Sequence, residues 1–193
     1  MAVNAYARAV TDRLVVPVAR ALVRLGATAN WLTFTGFALT LVGAVVAASG
    51  RRLPGALILT VSSLLDALDG SVARLRGTTG PLGAFYDSVT DRFSDVVVFG
   101  AAAWLVRDDP VLFVVALVGL AAGQGTSYMR AKAESLGWNA TVGLVERPER
   151  LIVLIVGLAF PLLLAPALWV LAIGGLITVA QRARAVVRQA RST

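Results

Sequence analysis

The 193-residue sequence contains no cysteine and no histidine. The first absence excludes disulfides and thiolate nucleophiles, and the two together exclude Cys/His zinc sites and an imidazole base. Proton transfer must then fall to carboxylates, tyrosine or lysine. Charge is scarce as well, at 15% of residues, with only 11 acids against 18 bases. Arg20 and Arg24 interrupt the first apolar run, so no signal-peptide core and no cleaved leader are expected. No internal repeat of fixed period is present.

What fills the chain instead is hydrocarbon. Hydrophobic residues make up 58% of it and the mean hydropathy is +0.78, which places it among membrane proteins. The expected architecture is an all-α integral membrane protein, with six transmembrane helices behind an N-terminal interfacial amphipathic helix, as one domain over residues 1–193. The formal charge of +7 and pI near 11.2 would raise nucleic acid in a soluble domain. Here the bases cluster at the ends of apolar spans, so anionic membrane lipid and a phosphorylated substrate are the expected partners, with no nucleic acid.

Residues 3–25 mix apolar positions with Arg8, Asp12, Arg13, Arg20 and Arg24, which suits a helix in the membrane interface; a soluble core helix is the alternative. Pro17 is expected to kink it. The six-helix bundle is expected over 31–193. Trp31 to Ser49 is uncharged and long enough to span, with Trp31 as its interfacial anchor. The apolar runs Leu53 to Leu65 and Val96 to Val106 are too short alone. Helices over about 54–75 and 82–106 cross only if they continue through their acidic parts with the polar half inward. Pro110 to Met129 gives a fourth span, and Leu151 to Leu164 and Pro166 to Ala180 shorter fifth and sixth ones. Leu136 to Leu144, with Gly137, Asn139 and Gly143, reads as a flexible connection.

Six spans put 15 of the 18 basic residues on one side and leave Arg51, Arg52 and Arg107 on the other. By the positive-inside rule the termini and the acidic stretch then face the cytoplasm, in a multi-pass protein of the cell (plasma) membrane.

That acidic stretch, DALDGSVARLRGTTGPLGAFYDSVTD, runs from Asp66 to Asp91. Asp66 and Asp69 are three apart and Asp87 and Asp91 four apart, so each pair shares a helix face. An aspartate at mid-membrane costs about 2.5 to 3.5 kcal/mol, and few arginines lie close in sequence, so a divalent cation is the economical neutraliser. All-oxygen ligation selects a hard ion, and magnesium favours a few carboxylates plus substrate phosphate. Two such ions would bind a pyrophosphate and offset charge developing on a phosphoryl centre. The small residues Gly70, Ala73 and Gly83 beside the acids fit either close helix packing or clearance for a substrate.

The spacing Asp66-x2-Asp69-Gly70-x2-Ala73-Arg74-x8-Gly83-x3-Asp87-x3-Asp91 matches every fixed position of the signature of the CDP-alcohol phosphotransferases, and the six spans and basic N-terminal helix resemble the family's outline over essentially the whole chain. The resemblance implies a Mg2+-dependent reaction, with two ions and Mn2+ as an alternative, in which an alcohol attacks the β-phosphorus of a CDP-linked lipid and releases CMP. It implies Asp66, Asp69, Asp87 and Asp91 as metal ligands, with Asp91 also the general base. CDP-lipid contacts carried over are Asn30, Trp31, Leu32, Thr33, Gly70, Arg74, Gly80 and Gly83. The chain departs from many relatives at Ala29-Asn30, where they have Pro-Asp, and at Gly80, where some have a Ser or Thr that touches the nucleotide. Asp95 continues the face of Asp87 and Asp91, as a further ligand or as the partner of an arginine.

For the acceptor, Ser127-Tyr128-Met129-Arg130-Ala131-Lys132-Ala133-Glu134 and Glu146-Arg147-Pro148-Glu149-Arg150 resemble segments of the phosphatidylinositol phosphate synthases within that family. That likeness implies Ser127, Arg130, Arg150 and Arg182 around the phosphate of 1D-myo-inositol 3-phosphate. Arg130 and Lys132 stand in exchanged order relative to those relatives. Membrane anchoring is the plainer account of any one of these bases. The lipid donor implied is CDP-diacylglycerol or CDP-archaeol, and the family outline implies a homodimer. The alternatives are a phosphatidylglycerophosphate synthase using glycerol 3-phosphate and, from another class, a divalent-cation transporter or channel.

Overall fold

The computed structural model describes residues 15–191, and among them the regular secondary structure is entirely helical. Residues 15–24 form α1, followed by α2 (Ala29–Ala48), α3 (Arg52–Arg76), α4 (Pro81–Leu105), α5 (Pro110–Ser135), α6 (Arg147–Ala159) and α7 (Pro161–Ala190). The part of the expected N-terminal helix before residue 15, with Arg8, Asp12 and Arg13, lies outside the described residues.

Local signals explain where the helices begin and end. Thr28 accepts the amide of Trp31 and opens α2 two residues before the expected start. Asp109 accepts the amides of Val111 and Leu112 ahead of Pro110, which opens α5. Gly77 closes α3 with φ +65 and Gly137 follows α5 with φ +77, both in the left-handed region that suits glycine.

The boundary between the last two helices differs from expectation. It falls at Phe160 and Pro161 rather than at Ala165 and Pro166. Phe160 adopts the extended conformation favoured before proline, and Pro161 takes a first-turn position where its missing N–H leaves no gap. Pro166 therefore sits inside α7. A Cβ added at Gly157 would lie 2.8 Å from Ala167 Cβ, which shows how closely α6 folds back on α7.

Among the described residues four helices, α2, α3, α5 and α7, are long and apolar enough to cross a membrane. Leu53, Leu57, Val61 and Leu64 form an exposed stripe on α3 at helical spacing, a surface suited to lipid. The core joins Leu59, Phe99, Val115, Leu154, Leu158, Leu168 and Leu171 from five helices. Between α2 and α3 the backbones themselves meet, since a Cβ added at Gly55 would lie 2.5 Å from the amide nitrogen of Ala47.

One packing relationship prepares the site. α2 packs on both α3 and α4, α6 also reaches both, and α3 and α4 scarcely touch each other. A gap flanked by four helices results, lined in its interior by Thr40, Ser62, Ser63, Thr90 and Ser94. The connection over 136–144 is held rather than loose. Thr178 accepts the amides of Leu144 and Val145, Arg182 donates to the Val142 carbonyl, and Gln189 accepts the Asn139 amide.

Candidate active site

Asp66 and Asp69 come from the C-terminal half of α3, and Asp87 and Asp91 from the N-terminal half of α4, so all four acids lie at one end of the gap. Asp66, Asp69 and Asp87 each bring a carboxylate oxygen within 4.8 Å of the others. Asp69 is buried, and the Thr33 hydroxyl donates to its Oδ2 at 2.6 Å. The donor set is carboxylate oxygen alone, which fits a hard divalent ion such as Mg2+ or Mn2+ and not a soft one.

Asp91 is placed differently. Its Oδ1 lies 2.8 Å from Arg147 Nη2, while Arg147 Nη1 donates to Asp66 Oδ2 at 2.6 Å. Arg92 stands 3.7 Å from the other Asp91 oxygen. The fourth acid is therefore outside the close trio and tied to α6.

Beside the trio opens a cavity of about 670 Å3 lined by Asn30, Thr33, Gly70, Arg74, Gly80 and Gly83 together with Asp69 and Asp87. These are six of the eight residues expected to meet the CDP-lipid. Arg74 is exposed there, with Nη2 donating to Ser71 Oγ. Leu32 is fully buried near Ala19 and Val72, and Trp31 is exposed; neither lines the cavity. Gly80 has extended backbone and no neighbour within 4 Å of an added Cβ, so the space a Ser or Thr fills in relatives is open.

The expected acceptor residues gather at the same end of the bundle, from the C-terminal part of α5, the N-terminus of α6 and the C-terminal half of α7. Arg150 is buried and its Nη2 is bonded to Asp95, which gives Asp95 its partner. Arg182, also buried, donates to the carbonyls of Thr126 and Val142 and lies 3.3 Å from Glu146. Ser127 is half-buried, and Arg130 is exposed, paired with Glu134 at 2.9 Å.

The residue that sequence reasoning left without a role is Arg147. Its signal was present, since it precedes Arg150 by three and so shares a face with it in the first turn of α6. Nothing local pointed from that turn to Asp66, 81 residues away.

A helical membrane bundle that clusters aspartates beside a cavity lined with glycine and arginine has the form of a metal-dependent enzyme acting on a phosphorylated lipid. The chain belongs to the CDP-alcohol phosphatidyltransferase family, whose pattern matches residues 26–182, and it is an enzyme of that class. It is 38% identical over 187 residues to a phosphatidylinositol phosphate synthase of Mycobacterium marinum, covering 91% of this chain and 80% of that one. It is also 38% identical over 202 residues to one of Streptomyces avermitilis, covering 96% and 83%. The fold resembles the crystal structure of the Mycobacterium tuberculosis phosphatidylinositol phosphate synthase with CDP-DAG bound, with a TM-score of 0.83 and 34% identity over 90% of this chain and 94% of that one. A second structure of that protein, in complex with manganese and citrate, matches with the same TM-score and identity, covering 90% and 89%. Membership of this enzyme family displaces the channel or transporter reading.

Proposed function

We propose that the protein transfers the phosphatidyl group of CDP-diacylglycerol, or the equivalent group of CDP-archaeol, to 1D-myo-inositol 3-phosphate and releases CMP. The observation that carries this reading is the trio Asp66, Asp69 and Asp87, two of which, Asp69 and Asp87, line the cavity shared with Arg74 and the glycines.

The acceptor hydroxyl oxygen forms a bond to the β-phosphorus of the donor as the bond from that phosphorus to the oxygen of CMP breaks. Asp66, Asp69, Asp87 and Asp91 are the residues that would hold two Mg2+ ions, or Mn2+ in their place. Bound there, the ions would supply charge stabilisation to the diphosphate oxygens. Asp91 takes the proton of the acceptor hydroxyl. Arg74 faces the diphosphate as a fixed cation, while Gly70, Gly80 and Gly83 let it approach the backbone and Asn30 and Thr33 border the nucleotide. Arg130, Arg150 and Arg182 gather positive charge for the acceptor phosphate, with the Ser127 hydroxyl nearby.

The reading extends to placement. Six spans, α2 to α7, cross the cell (plasma) membrane with the acids on the cytoplasmic side and α1 part of an interfacial helix; the skewed distribution of bases supports this. The functional unit is a homodimer, as in the family outline; Gly119, Gly123, Gly174 and Gly175 are buried against neighbours within the protomer and are not its contact face.

The test is purified protein with CDP-diacylglycerol and Mg2+ presented with inositol phosphate, free inositol and glycerol 3-phosphate, following CMP release. Inositol phosphate is expected to give the highest rate. A higher rate with glycerol 3-phosphate or free inositol overturns the acceptor assignment.

A further inference from the structure

α6 contributes to the acids a side chain that the aspartate signature does not contain. Arg147 Nη1 lies 2.6 Å from Asp66 Oδ2 and Nη2 lies 2.8 Å from Asp91 Oδ1, so one planar guanidinium joins α3 to α4 across the gap. The Arg147 side chain is only 20% exposed, and its Nε is buried without a partner. Those two carboxylates are thus what hold the guanidinium.

The arrangement divides the four acids unequally. Asp69 and Asp87 face one another across the gap without an arginine bonded to either, Asp66 is shared between the trio and Arg147, and Asp91 is engaged by arginines alone. A guanidinium and a divalent ion on the same carboxylate repel at a separation where screening by water is weak. An ion that uses Asp69, Asp87 and the free side of Asp66 leaves Arg147 where it is. An ion that uses Asp91 must displace it.

We propose that Arg147 makes the two cation positions unequal, the Asp66, Asp69 and Asp87 trio taking the first divalent ion and Asp91 receiving the second only as Arg147 yields it. The inference rests on the reading of the acids as cation ligands. Arg147 is here a positioning residue, which holds Asp91 at a set distance from the trio and sets the order in which the ions enter.

The test is Mn2+ binding to the detergent-purified full chain, with free Mn2+ read by electron paramagnetic resonance. Wild-type protein is expected to show a tighter and a weaker site. Arg147→Gln is expected to tighten the weaker site about tenfold or more. Arg92→Gln removes a cation that stands farther from Asp91 and does not touch Asp66, and is expected to change it by less than about threefold. Asp91→Asn is expected to remove the weaker site alone. Equal sites in the wild type, a binding curve for Arg147→Gln that superposes on the wild type, or equal tightening by Arg92→Gln overturns the proposal. Should Arg147→Gln fail to fold, Arg147→Lys, whose single ammonium cannot lie flat against both carboxylates, must still tighten the weaker site; no change there, or loss of both sites in Asp91→Asn, overturns it. Wild-type protein that binds no Mn2+ removes the cation reading itself, and this proposal with it.

Discussion

The Thr33 hydroxyl on α2 donates a 2.6 Å hydrogen bond to Oδ2 of Asp69 on α3, which fixes the most buried member of the acid trio from a neighbouring helix. Groups that orient a ligand from behind tune metal affinity. Thr33→Val, close in shape, is expected to weaken Mn2+ binding by about 10- to 100-fold while leaving the melting temperature nearly unchanged. Mn2+ titration beside a thermal melt separates the two effects.

Arg150 and Asp95 form a buried pair between α6 and α4, with 3% and 1% of their side chains exposed. Arg150→Ala leaves a carboxylate uncompensated in the core and is expected to cost about 3 to 5 kcal/mol. Replacing both, as Arg150→Leu with Asp95→Leu, is expected to recover most of that loss. Thermal unfolding in detergent measures stability, and the acceptor dependence of CMP release in the refolded double variant shows whether Arg150 also serves the acceptor phosphate.

Gly80 caps the N-terminus of α4 with no side chain to bond the first-turn amides, and it borders the CDP-lipid cavity. Gly80→Ser adds a hydroxyl into open space, so stability is expected to rise by a few tenths of a kcal/mol. The hydroxyl also offers the donor nucleotide a new partner, and KM for CDP-diacylglycerol is expected to fall with kcat unchanged. Initial rates across donor concentrations check this.

Thr178 Oγ1 accepts the amides of Leu144 and Val145 at 3.1 Å each, just before the capping residue of α6. Thr178→Val strips both amides of their acceptor and is expected to cost about 1 to 3 kcal/mol. Hydrogen exchange at residues 144 and 145 should quicken by about tenfold or more, ahead of any change in the core helices.

The helices and the two acid pairs, Asp66 with Asp69 and Asp87 with Asp91, were legible because both follow from short-range periodicity; that Asp87 joins the first pair while Asp91 stands outside it was not. Spacings of three and four place carboxylates on one face whatever surrounds them, and uncharged runs mark apolar spans. The relations that needed folding were long-range. Arg147 and Asp66 are 81 residues apart, and Arg150 and Asp95 55 apart, so no local pattern joins them. The α6 to α7 boundary was ambiguous for another reason: Pro161 and Pro166 are each able to open a helix, and the break falls at the earlier one, with Gly157 packed on Ala167. The 136–144 connection looked loose because glycine and asparagine dominate it, while its restraints come from Thr178, Arg182 and Gln189 on the distant α7.

Asp69 and Asp87 stand on consecutive helices separated by residues 77–80 alone, a short closure of the chain. As the polypeptide leaves the ribosome, all three members of the trio are made before any of α5, and Arg147 arrives two helices later. The growing chain therefore carries the trio before Arg147, the cation bonded to Asp66, exists, with Arg74, Arg76 and Arg92 as the nearby bases already made. Divalent ions present during translation would bear on how much protein is correctly inserted, and not only on how fast the finished enzyme turns over.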